Sequence, residues 1–118
     1  MTNAGGALIL DDEALVAMLL ADYLDALDWT DVESAMTVEE ALAVLDRSTV
    51  RFAILDCNLG GEVRSWAVAD RLAGDGVPFL FSSGLSSEQL PERFADRPML
   101  AKPYTLSSLS AAIADLKL

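Results

Sequence analysis

The sequence predicts an α/β fold, a (βα)5 three-layer sandwich with one parallel sheet, strand order 2-1-3-4-5, between two layers of helices. Three observations predict it. Strand-like and helix-like segments alternate five times along the 118 residues. Residues 7–10, 52–55 and 79–81 are continuously apolar, as strands covered on both faces are. Residues 30–34 instead alternate polar and apolar, which places that strand at an edge.

The first strand, Ala7-Leu8-Ile9-Leu10, closes on Asp11 and Asp12. Residues 13–27 then carry Val16, Leu19, Leu20, Tyr23, Leu24 and Leu27, the stripe of an amphipathic helix, with Asp12 placed as its N-cap. After the edge strand, Thr37-Val38-Glu39-Glu40 is a capping box that opens a second helix through about residue 46. Phe52-Ala53-Ile54-Leu55-Asp56 is the third strand, apolar until its last residue and therefore central. Beyond the Gly60-Gly61 loop, Trp66, Ala67, Ala69 and Leu72 mark a third helix ending at Gly74, and Trp66, like Trp29, reads as a packing residue. Val77-Pro78 leads into the fourth strand, which finishes in Ser82-Ser83-Gly84. A Ser86-x-x-Gln89 box predicts a short helix over 87–94, Met99-Leu100-Ala101 the fifth strand, and 105–117 the last helix. With no repeats, linkers or low-complexity tracts, residues 1–118 read as one domain with no output domain appended.

Composition excludes several function classes. A net charge of −11 opposes phosphate-backbone contact and anionic membranes, so neither nucleic acid nor a membrane is an expected partner. There is no histidine, which removes zinc enzymes and histidine-based triads. Cys57 is the one cysteine, so no internal disulfide framework exists, and a reducing cytoplasm is the expected compartment. No apolar run reaches the ~18 residues of a membrane span.

What remains is chemistry at strand ends. Asp11 and Asp12 close the first strand, Asp56 the third, and Lys102, one of two lysines, the fifth. In an open parallel sheet that edge is the ligand crevice. Two adjacent acids beside a third suit a hard divalent cation such as Mg²⁺. An aspartate there can attack phosphorus to give an acyl phosphate. Lys102 and a hydroxyl from Ser82 or Ser83 would then neutralise the transferring oxygens. Without a cation the clustered carboxylates repel one another, which predicts a raised carboxyl pKa and a melting temperature that rises with Mg²⁺.

Together the pair Asp11-Asp12, the central Asp56, Ser83-Gly84 and Lys102-Pro103 resemble the receiver domain of two-component response regulators, along essentially the whole chain. The resemblance implies a flavodoxin-like fold. It implies Asp56 as phosphoacceptor, Asp11 and Asp12 as the Mg²⁺ pair, and Asn58 as donor of a backbone carbonyl to that ion and as the residue that tunes the hydrolytic water. Counting from Pro78 favours Ser83 as the switch hydroxyl; Gly84 matches the small residue beside it. Lys102 resembles the phosphate-binding lysine, and Pro103 the proline after it. The stretch from Val77 to Gly84 also resembles a Pro-Phe-x-Phe-Ala-Thr-Gly subgroup of stand-alone receivers linked to bacterial stress signalling, with Ser-Ser in place of Ala-Thr.

The chain departs from the family in three places. No proline follows Asp56 in the run Asn58-Leu59-Gly60-Gly61, the aromatic switch position is Met99, and Tyr104 follows Pro103. On the first helix, Leu15 and Met18 lie off the core stripe, with Ala14 and Ala21 nearby, and only Asp22 and Asp25 interrupt the face. That patch is expected to dock a histidine kinase or a histidine phosphotransfer protein. Such a chain is no enzyme for a separate substrate: it phosphorylates and dephosphorylates itself and is expected to act by contact with another protein, such as a downstream effector, or by draining phosphate from one. The alternative is a degenerate receiver that serves as a phosphate-independent interaction module. A haloacid-type phosphatase would want an acid where Asn58 stands, and no Gly-rich nucleotide loop occurs.

Overall fold

A computed structural model describes residues 6–60, 63–83, 90–102 and 104–116. Its sheet consists of β1 (Gly6–Leu10), β2 (Val32–Ala35), β3 (Val50–Asp56), β4 (Phe79–Ser83) and β5 (Met99–Ala101). All neighbours pair in parallel, in the order β2-β1-β3-β4-β5. The helices among the described residues are α1 (Ala14–Ala26), α2 (Val38–Arg47), α3 (Trp66–Gly74) and α4 (Leu106–Asp115).

Period-two alternation in the apolar strands sends side chains to two separate cores. Leu8, Leu10, Ala53, Leu55, Phe79 and Phe81 meet Ala41 and Val44 of α2 and Val68, Ala69 and Leu72 of α3. Ala7, Ile9, Phe52, Ile54, Leu80 and Leu100 meet Ala17, Leu20 and Leu24 of α1 and Leu109 and Ala112 of α4. The tryptophans pack, as expected: Trp29 stands edge-on to Phe52 at 4.6 Å, and Trp66 to Phe81 at 5.4 Å.

Local signals explain most of the boundaries. Thr37 caps α2 by accepting the Glu40 N–H at 3.1 Å, while the Glu40 carboxylate reaches back to the N–H of Met36 rather than to that of Thr37. Thr105 and Ser108 form a reciprocal capping box for α4. The edge strand is offset from its expected span and runs to Ala35, whose carbonyl accepts the Asp11 N–H at 3.0 Å. Pairing with β1, not the local alternation, sets its end.

Two expectations need correction. Leu19 is 39% exposed and Ala17 is covered in its place, while the rest of the expected stripe holds: Leu20 and Leu24 are buried and Val16, Tyr23 and Leu27 pack against the same core. Residues 84–89 lie outside the described residues, and with them Gly84, the Ser86-x-x-Gln89 box and the first three positions of the helix expected over 87–94. The described remainder holds one 3-10 turn, Glu92–Phe94, which Pro91 precedes and Phe94 anchors in the core.

Phe79, Phe81, Phe94 and Trp66 form an aromatic cluster under this turn, with ring centroids 5.4 to 6.2 Å apart. Phe81→Ala is expected to cost about 3–5 kcal/mol in urea unfolding, as a large cavity in a core without room to collapse. An exposed control on α1, Asp22→Asn, should stay within about 0.5 kcal/mol of wild type.

Candidate functional site

Sheet register assembles the site. Leu10 pairs with Leu55, so Asp11 and Asp56 emerge side by side one residue later, and Asp56 pairs directly with Ser82. Ser83 pairs with Ala101, and its carbonyl accepts the Lys102 N–H at 3.0 Å. By alternation, Asp11, Asp56, Ser82 and Lys102 continue the rows that face α1 and α4. Four strands thus deliver two carboxylates, a hydroxyl and an ammonium to one end of one face.

The ammonium of Lys102 joins them. Its Nζ lies 3.2 Å from Asp56 Oδ2, 3.4 Å from Asp11 Oδ2 and 3.5 Å from Glu13 Oε1. Asp11 and Asp56 are buried, at 1% and 4% exposure, so the ion pairs are shielded from water. Asp56 Oδ1 accepts the Asn58 N–H at 3.3 Å, and the Asn58 side chain accepts the Gly60 N–H at 3.0 Å. Gly60 has φ +101, which an L side chain rarely adopts, and a Cβ there would stand 3.4 Å from Asp12 Oδ2. The Asp12 carboxylate therefore lies against this loop.

Asp12 does not cap α1, contrary to expectation. The N-cap is Glu13, without a side-chain cap bond, and Asp11 Oδ1 makes the local turn by accepting the Glu13 N–H at 2.8 Å. A single carboxylate thus shapes the turn with one oxygen and faces Lys102 with the other, which leaves Asp12 to the crevice. One oxygen each from Asp11, Asp12, Glu13 and Asp56 lies within 4.8 Å of the others, a set of hard donors that fits a divalent cation. Buried Asp11 Oδ2 has no hydrogen bond of good geometry and is compensated by the Lys102 ammonium at 3.4 Å.

Of the expected residues, then, Asp11, Asp12, Asp56 and Lys102 meet directly. Asn58 borders them, and Ser83 stands at the end of β4. Met99 is 40% exposed on β5, away from them, and Pro103 lies outside the described residues. Tyr104 is buried behind Lys102. Its hydroxyl lies near that of Ser82, though neither reaches hydrogen-bond geometry with any partner. Burial pushes the Tyr104 phenol up to about 12. Sequence reasoning missed Glu13, although a third acid directly after Asp11-Asp12 was there to be read.

Burial, and then the neighbouring Asp11 charge, push the Asp56 carboxyl from 3.8 up to about 6, against the opposing pull of Lys102. Burial raises Asp11 as well. Burial works against the Lys102 charge, yet Asp56 and Asp11 outweigh it and hold that pKa above the ordinary lysine range.

Comparison with known proteins gives a consistent picture. No protein-family model matches the sequence, and no curated protein matches it. The solution structure of SdrG from Sphingomonas melonis Fr1 is 42% identical over the whole of both chains, with a TM-score of 0.88. The BeF3-activated conformation of SdrG from Pseudomonas melonis Fr1 is also 42% identical over both whole chains, at 0.84. A CheY-like response regulator receiver domain from Methylobacillus flagellatus shares the fold at 20% identity, covering 97% of this chain and 99% of that one, at 0.81.

A carboxyl whose folded pKa is raised binds more protons folded than unfolded. Its favourable contribution is complete below pH 3.8 and is lost as pH rises to about 6. The cation-free protein is therefore expected to melt progressively lower across that window. Asp56→Asn should flatten the profile and stabilise the protein at pH 7 by about 2–3 kcal/mol. A thermal-melt series in EDTA checks both; melting that rises over that interval would contradict the buried-carboxylate account.

Proposed function

The chain belongs to the receiver family of two-component response regulators, and from that premise we propose that it takes a phosphoryl group onto Asp56 from the phosphohistidine of a histidine kinase or histidine phosphotransfer protein. The observation that carries this reading is the 3.2 Å contact between Lys102 Nζ and Oδ2 of a buried Asp56, inside a ring of further carboxylates.

Asp56 is ionised at pH 7, yet burial leaves its oxygens poorly solvated and basic, as a nucleophile requires. An Asp56 oxygen attacks phosphorus, the O–P bond forms as the N–P bond of phosphohistidine breaks, and the departing imidazole keeps the electron pair. Lys102 moves with one phosphoryl oxygen, and a hydroxyl at the end of β4 takes another: Ser83 by the family resemblance, with Ser82 on the same row as Asp56. Asp11, Asp12, Asp56 and the Asn58 carbonyl would hold Mg²⁺, which when bound would supply charge neutralisation to the phosphoryl oxygens and to the carboxylates themselves. The Asn58 amide, fixed by Gly60, is placed to orient the water that later hydrolyses the acyl phosphate, so the chain resets itself. The product is a change in which protein it binds. That SdrG, 42% identical over both whole chains, has a BeF3-activated conformation supports this reading.

The phosphodonor docks on α1. Leu15 is 80% and Met18 62% exposed on the helix that begins next to the acidic cluster, and Leu19 extends the same apolar face.

Intact-mass spectrometry tests the acceptor. Incubation with acetyl phosphate and Mg²⁺ is expected to add one phosphoryl group to the wild type, and none to Asp56→Asn or to wild type in EDTA. A folded wild type that takes no phosphoryl group from acetyl phosphate or from any histidine phosphodonor would instead be a phosphate-independent interaction module. Replacing Leu15 and Met18 with Glu is expected to slow transfer from the protein donor at least about tenfold, the loss of roughly 1.4 kcal/mol of docking energy. Labelling by acetyl phosphate should be unchanged. Equal slowing with both donors would remove α1 as the docking surface.

A further inference from the structure

We propose that Tyr104 is a positioning residue for the phosphorylated site: its hydroxyl donates to the Ser82 hydroxyl, which in turn donates to a phosphoryl oxygen on Asp56. This role rests on the receiver reading above, which supplies the phosphoryl group; the buried phenol behind Ser82 goes beyond it.

Two buried hydroxyls without partners carry the inference. Ser82 is 1% and Tyr104 6% exposed, and among the described residues neither Ser82 Oγ nor Tyr104 Oη has a hydrogen bond. A buried hydroxyl left unpaired costs free energy, and folded proteins keep such groups rare. Both lie on one face of the sheet. Ser82 pairs with Asp56 across β3 and β4, and Tyr104 packs with Ile54 and Leu80, which stand two positions before Asp56 and Ser82 on the same rows. Ser82 thus adjoins both the acceptor carboxylate and the phenol.

Donor and acceptor chemistry sets the direction of the chain. A serine hydroxyl has one proton to give and lone pairs to receive, so it can accept from Tyr104 while donating forward. Tyr104 is the donor at the far end: burial pushes its phenol up to about 12, and it keeps its proton at neutral pH. At rest the Asp56 oxygens are engaged elsewhere, Oδ2 by Lys102 at 3.2 Å and Oδ1 by the Asn58 N–H at 3.3 Å. A phosphoryl group adds three acceptor oxygens beside Ser82. Each hydrogen bond in such a chain polarises the next, so the phenol strengthens the serine's donation without touching phosphorus. No proton is transferred, and both hydroxyls keep theirs. Bonds made only in the phosphorylated state favour that state over the resting one.

Thermal melts of the full chain, with and without Mg²⁺ and beryllofluoride as a non-covalent phosphoryl mimic, test this on wild type, Tyr104→Phe, Ser82→Ala and the double variant. Without beryllofluoride, each variant is expected to melt no more than about 2 °C below wild type, because the hydroxyl it loses has no partner there. Beryllofluoride affinity, read from the concentration dependence of the melt, should fall about tenfold in either single variant. The double variant should also lose about tenfold, since both changes break the same chain. A hundredfold loss in the double variant would make the two hydroxyls independent and overturn the relay. Tyr104→Phe that lowers the resting melt and leaves beryllofluoride affinity intact would reduce the phenol to packing. Wild-type affinity in every variant would remove the hydroxyl chain alone, whereas a wild type that binds no beryllofluoride would take the receiver reading down with it.

Discussion

The pairing of one ammonium with two buried carboxylates is the constraint around which this molecule is organised. Asp11 and Asp56 occupy sheet positions where their neighbours along the strand, Ile9 and Ile54, are fully apolar core. An ionised carboxylate in such surroundings is costly unless a counter-charge shares the burial. Lys102, with its own side chain only 17% exposed, is that counter-charge. Removing it would leave the acids uncompensated, whereas removing Asp56 relieves the cluster. The two ends of one ion pair are thus far from equivalent.

Strand order is what makes the pairing possible. A sheet wound 2-1-3-4-5 sets β1 beside β3 and β3 beside β4, so residues far apart in sequence leave the sheet in one row. Crossover helices on both faces force the strands to be apolar up to their last residues, and polar groups are admitted only at the carboxyl ends. The site is therefore where the packing rule for parallel sheets stops applying. The same geometry starts α1 directly after the acids, and the exposed Leu15 and Met18 lie in its first two turns.

Much of this was legible from residues alone, for physical reasons. Buried parallel strands read as unbroken apolar runs, which is why Asp11, Asp56 and Lys102 stood out as their terminators. Features decided by tertiary contact were harder. Leu19 fits the helical stripe as well as Leu20 does, and only the seating of α1 on β1 decides which of them is covered. Asp12 has the chemistry of an N-cap, but the competition was lost to Asp11, which makes the turn through one oxygen. Glu13 was passed over because an acid opening a helix is ordinary. Its contact with Lys102, 89 positions away by sequence number (102 − 13), exists only through the fold. The short helix expected near residue 90 rested on a capping pattern, and its described part is governed instead by Pro91 and the burial of Phe94.

A site with more acid than base stores its imbalance as lost stability, and that imbalance is also its affinity. Whatever free energy the resting crevice gives up by holding Asp11, Asp12, Glu13 and Asp56 around one lysine is returned when a dication enters, since binding to the native state alone stabilises it. On the proposed acceptor role, a phosphoryl group on Asp56 would exchange a shared carboxylate charge for a larger one, and would strengthen the call on Lys102 while weakening its hold on Asp11 and Glu13. Because Glu13 caps α1 and Lys102 precedes the segment that carries Tyr104, a displaced ammonium changes the electrostatics at the ends of two elements at once. On the proposed function, charge imbalance, metal affinity and signal output would be one quantity, and none of them could be optimised without altering the others.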